Sequence, residues 1–200
     1  SHTTGCGHRA RSGGGTQLPC RNLIHGFLRV WMLSLMTANI QVLMVCLGNI
    51  CRSPTAHGVF NNRIKNAGLA DKIHVDCSGT GNYHIGEKPD RRSIETAAQR
   101  GYDLSSFRAR QVQANDFERF DYILAMDNAN LRDLQARCPQ AYLSKLQLFL
   151  DYAGADCEAV PDPYFSGAEG FDVVLDLIED ASDGLLAYIR DRHFPDPVGG

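Results

Sequence analysis

Long apolar runs are missing from this chain. No stretch of 18 uninterrupted apolar residues occurs among its 200 residues, whereas a helix needs about 20 to cross the hydrocarbon core of a bilayer. We therefore predict no membrane span. With 44% apolar and 22% charged residues, the composition is that of an ordinary soluble protein, and the length suits one domain with a full core.

Acidic residues are missing from the first 70 positions, which carry seven Arg or Lys, and Asp71 is the first acid. All 23 acidic residues therefore lie in the rest of the chain, and the formal net charge is -3. The basic N-terminal part could attract anions. The chain as a whole lacks the strongly basic balance of nucleic-acid-binding proteins, so no nucleic-acid partner is expected.

The seven cysteines lack the patterns of a disulfide or zinc framework. They are odd in number and widely spread, unlike the cysteines of small secreted scaffolds. The paired short spacings of structural zinc sites are also missing, so a metal on Cys46, Cys51 and His57 is not expected. We predict no metal and no cofactor, a reducing cytoplasmic location, and at least one cysteine kept for chemistry.

The N-terminal part, residues 1–39, lacks a clear targeting signal. Its apolar stretch from Leu23 to Leu35 is interrupted by His25 and Arg29, and no small-residue cleavage site follows. We interpret these residues as an extension in front of the domain. A non-native or over-extended start is the favoured explanation, with Met36 as a natural start, and an accessory arm or a targeting segment are the alternatives.

Strand patterns alternate with helix patterns through the rest of the chain. Ile40 to Cys46 is nearly continuous in apolar residues, as in a strand buried on both faces, and Ser53-Pro54 can cap and open a helix. The further predicted elements are strands at Lys72–Ser78, Phe120–Met126 and Lys145–Leu150, and helices from Ser53 to about Ala67, at Asp90–Arg100, from Asp127 or Asn128 to Arg137, and at about Gly170–Arg192.

This alternation predicts an α/β fold with a parallel sheet and helices on both faces. We place one domain at residues 40–194 and a loose tail at 195–200. In such sheets, ligands bind beyond the carboxyl ends of the strands. Cys46 ends the first strand, so the active site is expected there.

The segment from Cys46 to Ser53 reads Cys, five residues, Arg, Ser. A loop between a strand and a helix start can turn its N–H groups inward as an anion-binding nest, and Gly48 and Asn49 tolerate the backbone angles this requires. A thiol in that field is expected to ionise readily. Arg52 can hold two oxygens of a phosphoryl group, and Ser53 can hydrogen-bond the sulfur. No metal would be needed to attract a phosphoryl group, because Arg52 and the inward N–H groups of the loop would supply the positive field.

Further segments accompany this loop in order. They are Ser78-Gly79-Thr80, Tyr83-His84-Ile85-Gly86 with Pro89-Asp90, Arg108-Ala109-Arg110-Gln111, Ala125-Met126-Asp127 and Val160-Pro161-Asp162-Pro163-Tyr164. Together with Val42–Phe60 they resemble the low-molecular-weight protein-tyrosine phosphatases over roughly residues 40–192. The resemblance implies a four-stranded parallel sheet in a flavodoxin-like three-layer fold, and hydrolysis of phosphotyrosine through a phosphocysteine, with some activity on aryl phosphates.

The resemblance also implies roles for individual residues. Cys46 would be the nucleophile and Asp162 the general acid and base, with Pro161 and Pro163 stiffening its loop. The expected phosphate- and substrate-binding residues are Leu47, Gly48, Asn49, Ile50, Cys51, Tyr83, Tyr164 and Phe165. Ser78 and Asp127 would support the loop by hydrogen bonds, but Gln99-Arg100-Gly101 replaces a family histidine that helps to hold the loop asparagine, which leaves the support of Asn49 open.

Family members with a second cysteine at the position of Cys51 can form a reversible disulfide that protects the nucleophile. We hypothesise the same for Cys46 and Cys51. The resemblance further implies phosphotyrosine proteins as partners, a bacterial tyrosine kinase among them, and a monomer or weak dimer.

Three other functions are compatible with parts of this pattern. A thioredoxin-linked arsenate reductase needs two later cysteines, but none lies between Cys77 and Cys138. A protein-arginine phosphatase carries Thr where this chain has Ile50. A non-catalytic anion-binding module would have a degraded site, whereas all four predicted catalytic residues are present.

Overall fold

The computed structural model describes residues 39–154 and 156–195. The predictions for the N-terminal extension and the tail lie almost wholly outside this part. Its strands are β1 (Ile40–Cys46), β2 (Ile73–Gly79), β3 (Tyr122–Ala125) and β4 (Leu146–Leu148), and its helices are α1 (Arg52–Asn66), α2 (Arg91–Gln99), α3 (Asp116–Arg119), α4 (Asn128–Arg137) and α5 (Ala168–His193). None of these described helices is both long and apolar enough to cross a membrane.

The four strands form one parallel sheet in the order β2-β1-β3-β4. β1 therefore lies inside the sheet between two parallel neighbours, which explains its nearly continuous apolar sequence. In the register of β1 with β2, Cys46 is opposite Gly79. The carboxyl ends of these strands meet at one edge, and this edge is where the predicted loop begins.

Side chains that alternate along β1 divide the interior into two cores. Val42 and Met44 pack in a cluster with α1, α2 and α5, where Phe60 and Leu185 are fully buried. Leu43 and Val45 pack on the opposite face with residues of α3 and α4. Helices therefore cover both faces, and the predicted fold class, a four-stranded parallel sheet in three layers, is confirmed.

The element boundaries differ from the sequence predictions by at most two residues, and Ser53 differs in role. The residue at the N-cap position of α1 is Cys51, which makes no side-chain capping bond. Ser53 lies inside the first turn, fully buried. It is therefore not the predicted cap, because its hydroxyl is used by the loop. Asp90 and Asp127 do cap their helices, accepting from Arg92 N and Asn130 N.

Two kinds of element were not predicted from sequence. α3 is four residues long, and short 3₁₀ helices flank β4 at Gln140–Lys145 and Phe149–Tyr152. The latter covers part of the predicted strand Lys145–Leu150. Such short segments carry too few periods of apolar residues to distinguish a turn from a strand.

Candidate active site

The loop between β1 and α1 closes around the sulfur of Cys46. The backbone N–H of Asn49 donates to Cys46 Sγ across 3.3 Å, and Ser53 Oγ lies 3.0 Å from the same sulfur. Asn49 adopts a positive φ of 56°, which Asn tolerates better than most residues. The sulfur thus lies against a backbone donor and a hydroxyl at the N-terminus of a helix, which is favourable for a negative charge.

Asn49 is held from both ends of its side-chain amide. Its Nδ2 donates to Ser53 Oγ at 2.8 Å, and its Oδ1 accepts from the backbone N of Arg110 at 2.9 Å. Arg110 is itself fixed by ion pairs with Asp76 and Asp116. These bonds answer the question left open by the missing histidine, since a different segment of the chain supplies the support.

Ser78 contacts the loop through its backbone. Its carbonyl oxygen accepts from Ser53 Oγ at 3.2 Å, whereas its own hydroxyl is buried without a hydrogen-bond partner in the described part of the chain. The expected hydrogen bond to the loop is therefore made by the backbone of Ser78 and not by its hydroxyl. The neighbouring Gly79 contributes by its small size, because a Cβ there would lie 2.6 Å from the carbonyl oxygen of Leu47.

Arg52 is buried at the side of the loop, with 3% of its surface exposed. Its Nη1 donates to Asp127 Oδ2 at 2.5 Å and to the carbonyl oxygen of Val160 at 3.1 Å. Burial opposes the charged guanidinium, but the electrostatic interaction with Cys46 and the bond to Asp127 outweigh it and raise the pKa of Arg52. Asp127, which also caps α4, therefore fixes the cation beside the sulfur.

Asp162 reaches the same place from the loop before α5. Its Oδ2 lies 3.5 Å from Arg52 Nη2, and its Oδ1 accepts from the backbone N of Tyr164 at 3.1 Å. The carboxylate side chain is 48% exposed. It is thus oriented by its neighbours and still open to a ligand.

A cavity of about 250 Å³ lies above these groups. Its lining residues are Cys46, Leu47, Gly48, Ile50, Cys51, Arg52, Tyr83, His84, Asp162, Tyr164 and Phe165. Every predicted catalytic and binding residue lines it except Asn49, whose side chain bonds to Ser53 and Arg110, and Ser53, which is buried in the first turn of α1. Ser78 and Asp127 likewise lie behind it, as expected for supporting residues.

The rim of the cavity is aromatic and exposed. Tyr83 is 72% and Phe165 95% exposed, and the Tyr164 ring meets the Phe165 ring edge-on with centroids 5.0 Å apart. Large exposed rings around a charged floor are suited to grip a flat apolar group.

Two residues near the rim were missed at the sequence level. His84 lines the cavity with Nδ1 2.7 Å from Glu87 Oε2. The Arg92 guanidinium stacks over the rings of Tyr164, at 5.7 Å, and Phe171, at 4.6 Å. His84 belongs to the segment Tyr83-His84-Ile85-Gly86, so its place at the cavity could have been predicted. No local pattern connects Arg92 with the ring of Tyr164, which lies 72 positions later in the chain.

Comparison with known proteins agrees with this geometry. Residues 41–193 match the family model described as low molecular weight phosphotyrosine protein phosphatase. The chain belongs to this phosphatase family. A relative from Schizosaccharomyces pombe with that same description is 44% identical over 147 residues, 72% of this chain and 94% of its own length.

Solved structures of related phosphatases share the fold. The protein tyrosine phosphatase from Entamoeba histolytica, crystallised with Hepes in its active site, is 41% identical with a TM-score of 0.75, and the match covers 77% of this chain and 99% of that one. A Drosophila arginine phosphatase is 33% identical with a TM-score of 0.70, covering 76% of this chain and 98% of its own. The chain is therefore an enzyme of the phosphatase family, and its cavity is the place to look for the reaction.

Proposed function

We propose that this phosphatase hydrolyses phosphotyrosine in proteins through a phosphocysteine on Cys46. The Cys46 thiolate attacks phosphorus, the bond from phosphorus to the tyrosine oxygen breaks, and Asp162 gives its proton to the leaving oxygen. Water then attacks the phosphocysteine, Asp162 takes a proton from that water, and the phosphorus–sulfur bond breaks. Inorganic phosphate leaves, and the thiolate and the protonated acid are restored.

The observation that carries this proposal is the meeting of three groups in one cavity. The sulfur of Cys46, the guanidinium of Arg52 and the carboxylate of Asp162 all face it, although they come from β1, the start of α1 and a loop more than 100 residues later. A dianionic phosphoryl group needs a nucleophile, a cation and a proton donor arranged in this way. The inward N–H of Asn49 adds a backbone donor to that field.

The walls favour an aryl phosphate. Leu47 and Ile50 flank the sulfur, and Tyr83, Tyr164 and Phe165 form the rim. A phenyl ring that enters between apolar walls brings its phosphate to the charged floor, whereas a short serine phosphate would leave the walls unfilled. Small aryl phosphates are therefore proposed as additional substrates.

A protein-arginine phosphatase is the second candidate, since the fold neighbours include an enzyme described as a Drosophila arginine phosphatase. Ile50 argues against it, because this apolar side chain lines the cavity and offers no hydrogen bond to a guanidinium. We expect phosphotyrosine peptides to have a kcat/KM at least about tenfold above matched phosphoarginine peptides.

This comparison is sharpest with two variants. Ile50→Thr should shift the ratio of the two kcat/KM values toward the phosphoarginine peptide. Ile50→Val keeps an apolar wall of similar shape, so this variant should still prefer the phosphotyrosine peptide. A preference of the unaltered chain for phosphoarginine would contradict the proposed substrate, and no turnover of either peptide by reduced protein would favour a non-catalytic module.

The natural substrates are proposed to be phosphotyrosine proteins, with an autophosphorylated bacterial tyrosine kinase among them. Cysteine usage supports a cytoplasmic location. Action as a monomer or weak dimer fits a site built from one chain, because every group named above comes from a single unit that includes the sheet.

Mild peroxide should convert the free enzyme to a form with a Cys46–Cys51 disulfide. Burial raises the pKa of the Cys51 thiol to about 12, so the thiol at Cys51 stays protonated at neutral pH. Cys46 would be oxidised first, to a sulfenic acid, and Cys51 would then attack its sulfur and release water. Mass spectrometry should show a protein lighter by two hydrogens, and its phosphatase activity should be lost. Dithiothreitol should restore both the original mass and the activity.

Cys51→Ser is the matched variant for this prediction. It should lose activity irreversibly under the same peroxide dose, as Cys46 proceeds to sulfinic and sulfonic acid. If the unaltered chain gave mainly a Cys46 sulfonic acid, Cys51 would have no protective role.

A further inference from the structure

A second cluster of reactive side chains lies behind the phosphate loop. His57 on α1 and the adjacent Asp76 and Cys77 on β2 bring one nitrogen, one oxygen and one sulfur within 4.8 Å of one another. The closest approach is 3.4 Å, between His57 Nδ1 and Cys77 Sγ. Among the residues that the structure describes, this is the one group of three or more such side chains.

The histidine of the cluster is held in place by an aromatic neighbour. The ring of His57 stacks on Phe107, with centroids 4.1 Å apart and planes 12° from parallel. An imidazole nitrogen is a common metal ligand, and Nδ1 of His57 faces the sulfur of Cys77. His57 and Asp76 are only partly buried, which leaves a path from solvent.

Asp76 is fixed by three hydrogen bonds. Its Oδ2 accepts from Arg110 Nη2 at 2.9 Å and Nε at 3.2 Å, and its Oδ1 accepts from the backbone N of Cys77 at 2.7 Å. Hydrogen bonds of this kind orient a ligating oxygen without removing its remaining lone pairs.

The charges around the cluster suit a divalent cation. Asp76 and Asp116 both pair with Arg110, so these three groups sum to one negative charge. Cys77 adds a second when it loses its proton. Burial raises the pKa of that thiol to about 12. A cation that ligates the sulfur would displace the proton to solvent as the bond to sulfur forms.

We propose that His57, Asp76 and Cys77 form a binding site for a zinc-like divalent cation behind the phosphate loop. One nitrogen, one oxygen and one sulfur ligand suit Zn²⁺, with water as a fourth ligand, whereas Mg²⁺ and Ca²⁺ prefer oxygen alone. The proposed hydrolysis does not use this site, because its cation is the Arg52 guanidinium. Cys77 lies on β2, opposite Met44 of β1 in the sheet register, and so two residues before the strand end that carries Cys46.

Cobalt is the probe for this site, because a thiolate-to-cobalt charge-transfer band reports a sulfur ligand directly. We would titrate Co²⁺ into full-length Cys46→Ser protein, in which the nucleophile can no longer bind metal. A near-ultraviolet band should appear and should be reversed by an excess of Zn²⁺. Cys46→Ser/Cys77→Ser should lose the band, and Cys46→Ser/Cys138→Ser, which removes a half-buried thiol elsewhere, should keep it.

A variant that keeps the sulfur guards against a folding defect at Cys77. His57→Gln in the Cys46→Ser background should weaken Co²⁺ binding by at least about 10- to 100-fold, the cost of losing even an outer partner of a metal ligand. Circular dichroism would show that each variant is folded. A band of unchanged strength and affinity in the folded Cys77→Ser or His57→Gln protein would overturn the proposal, as would a band that disappears only with Cys138→Ser.

Discussion

Replacing Cys46 by serine should lower phosphatase turnover by about 10⁶-fold, as removal of a covalent nucleophile does in other enzymes. Serine keeps a similar shape, but its hydroxyl is not ionised at neutral pH and is a far weaker nucleophile. The sulfur is 3% exposed and held between Asn49 N and Ser53 Oγ, so the substitution removes one atom type and leaves the surroundings intact. Release of phosphate from a phosphotyrosine peptide would measure the loss.

Binding should survive the same substitution. Arg52 and the loop N–H groups remain, and they supply most of the attraction for a dianion. The Cys46→Ser protein should therefore retain a phosphotyrosine peptide that calorimetry can detect. Cys138→Ser, whose thiol donates to the carbonyl oxygen of Pro139, should turn over normally. Normal turnover by Cys46→Ser would remove the nucleophile from the proposed mechanism.

The sequence predicted those parts of the fold and site that depend on residues close together in the chain. The apolar run Ile40–Cys46 and the loop after it form one strand, one turn and one helix start, as expected. In this segment the pattern and the structure involve the same few residues, so little long-range information was needed. Pro161-Asp162-Pro163 alone is also typical of a turn, so the place of Asp162 in the site, more than 100 residues after Cys46, was predicted from the family resemblance.

Support for the loop could not be predicted in this way, because it depends on distant residues and on backbone atoms. The amide of Asn49 is fixed by Arg110, 61 positions later, and no spacing rule connects them. Ser78 was expected to support the loop by a hydrogen bond, and its carbonyl oxygen accepts one from Ser53 Oγ, but which of its atoms makes the bond could not be predicted. Any residue has a carbonyl oxygen, so residue type cannot reveal such a contact.

Replacing Asp162 by asparagine should slow hydrolysis of phosphotyrosine peptides by roughly 10²- to 10⁴-fold, the usual contribution of a general acid. Asparagine has almost the same shape and can still accept from the backbone N of Tyr164, as Asp162 does at 3.1 Å. It cannot give up a proton to the tyrosine oxygen. The loss should therefore come from the chemical step, and single-turnover kinetics would show it as slower formation of the phosphocysteine.

The size of the loss should depend on the leaving group, and this dependence separates acid catalysis from a general disturbance of the site. p-Nitrophenolate leaves without a proton, so turnover of p-nitrophenyl phosphate should fall much less than that of the peptide. Asp156→Asn changes an exposed acid in the same loop region and should affect neither substrate. Asp162 also lies 3.5 Å from Arg52. If its main role were to hold that guanidinium in place, its replacement would lower the turnover of both substrates by the same factor. An equal loss would assign Asp162 to positioning Arg52 and leave the proton donor to be found.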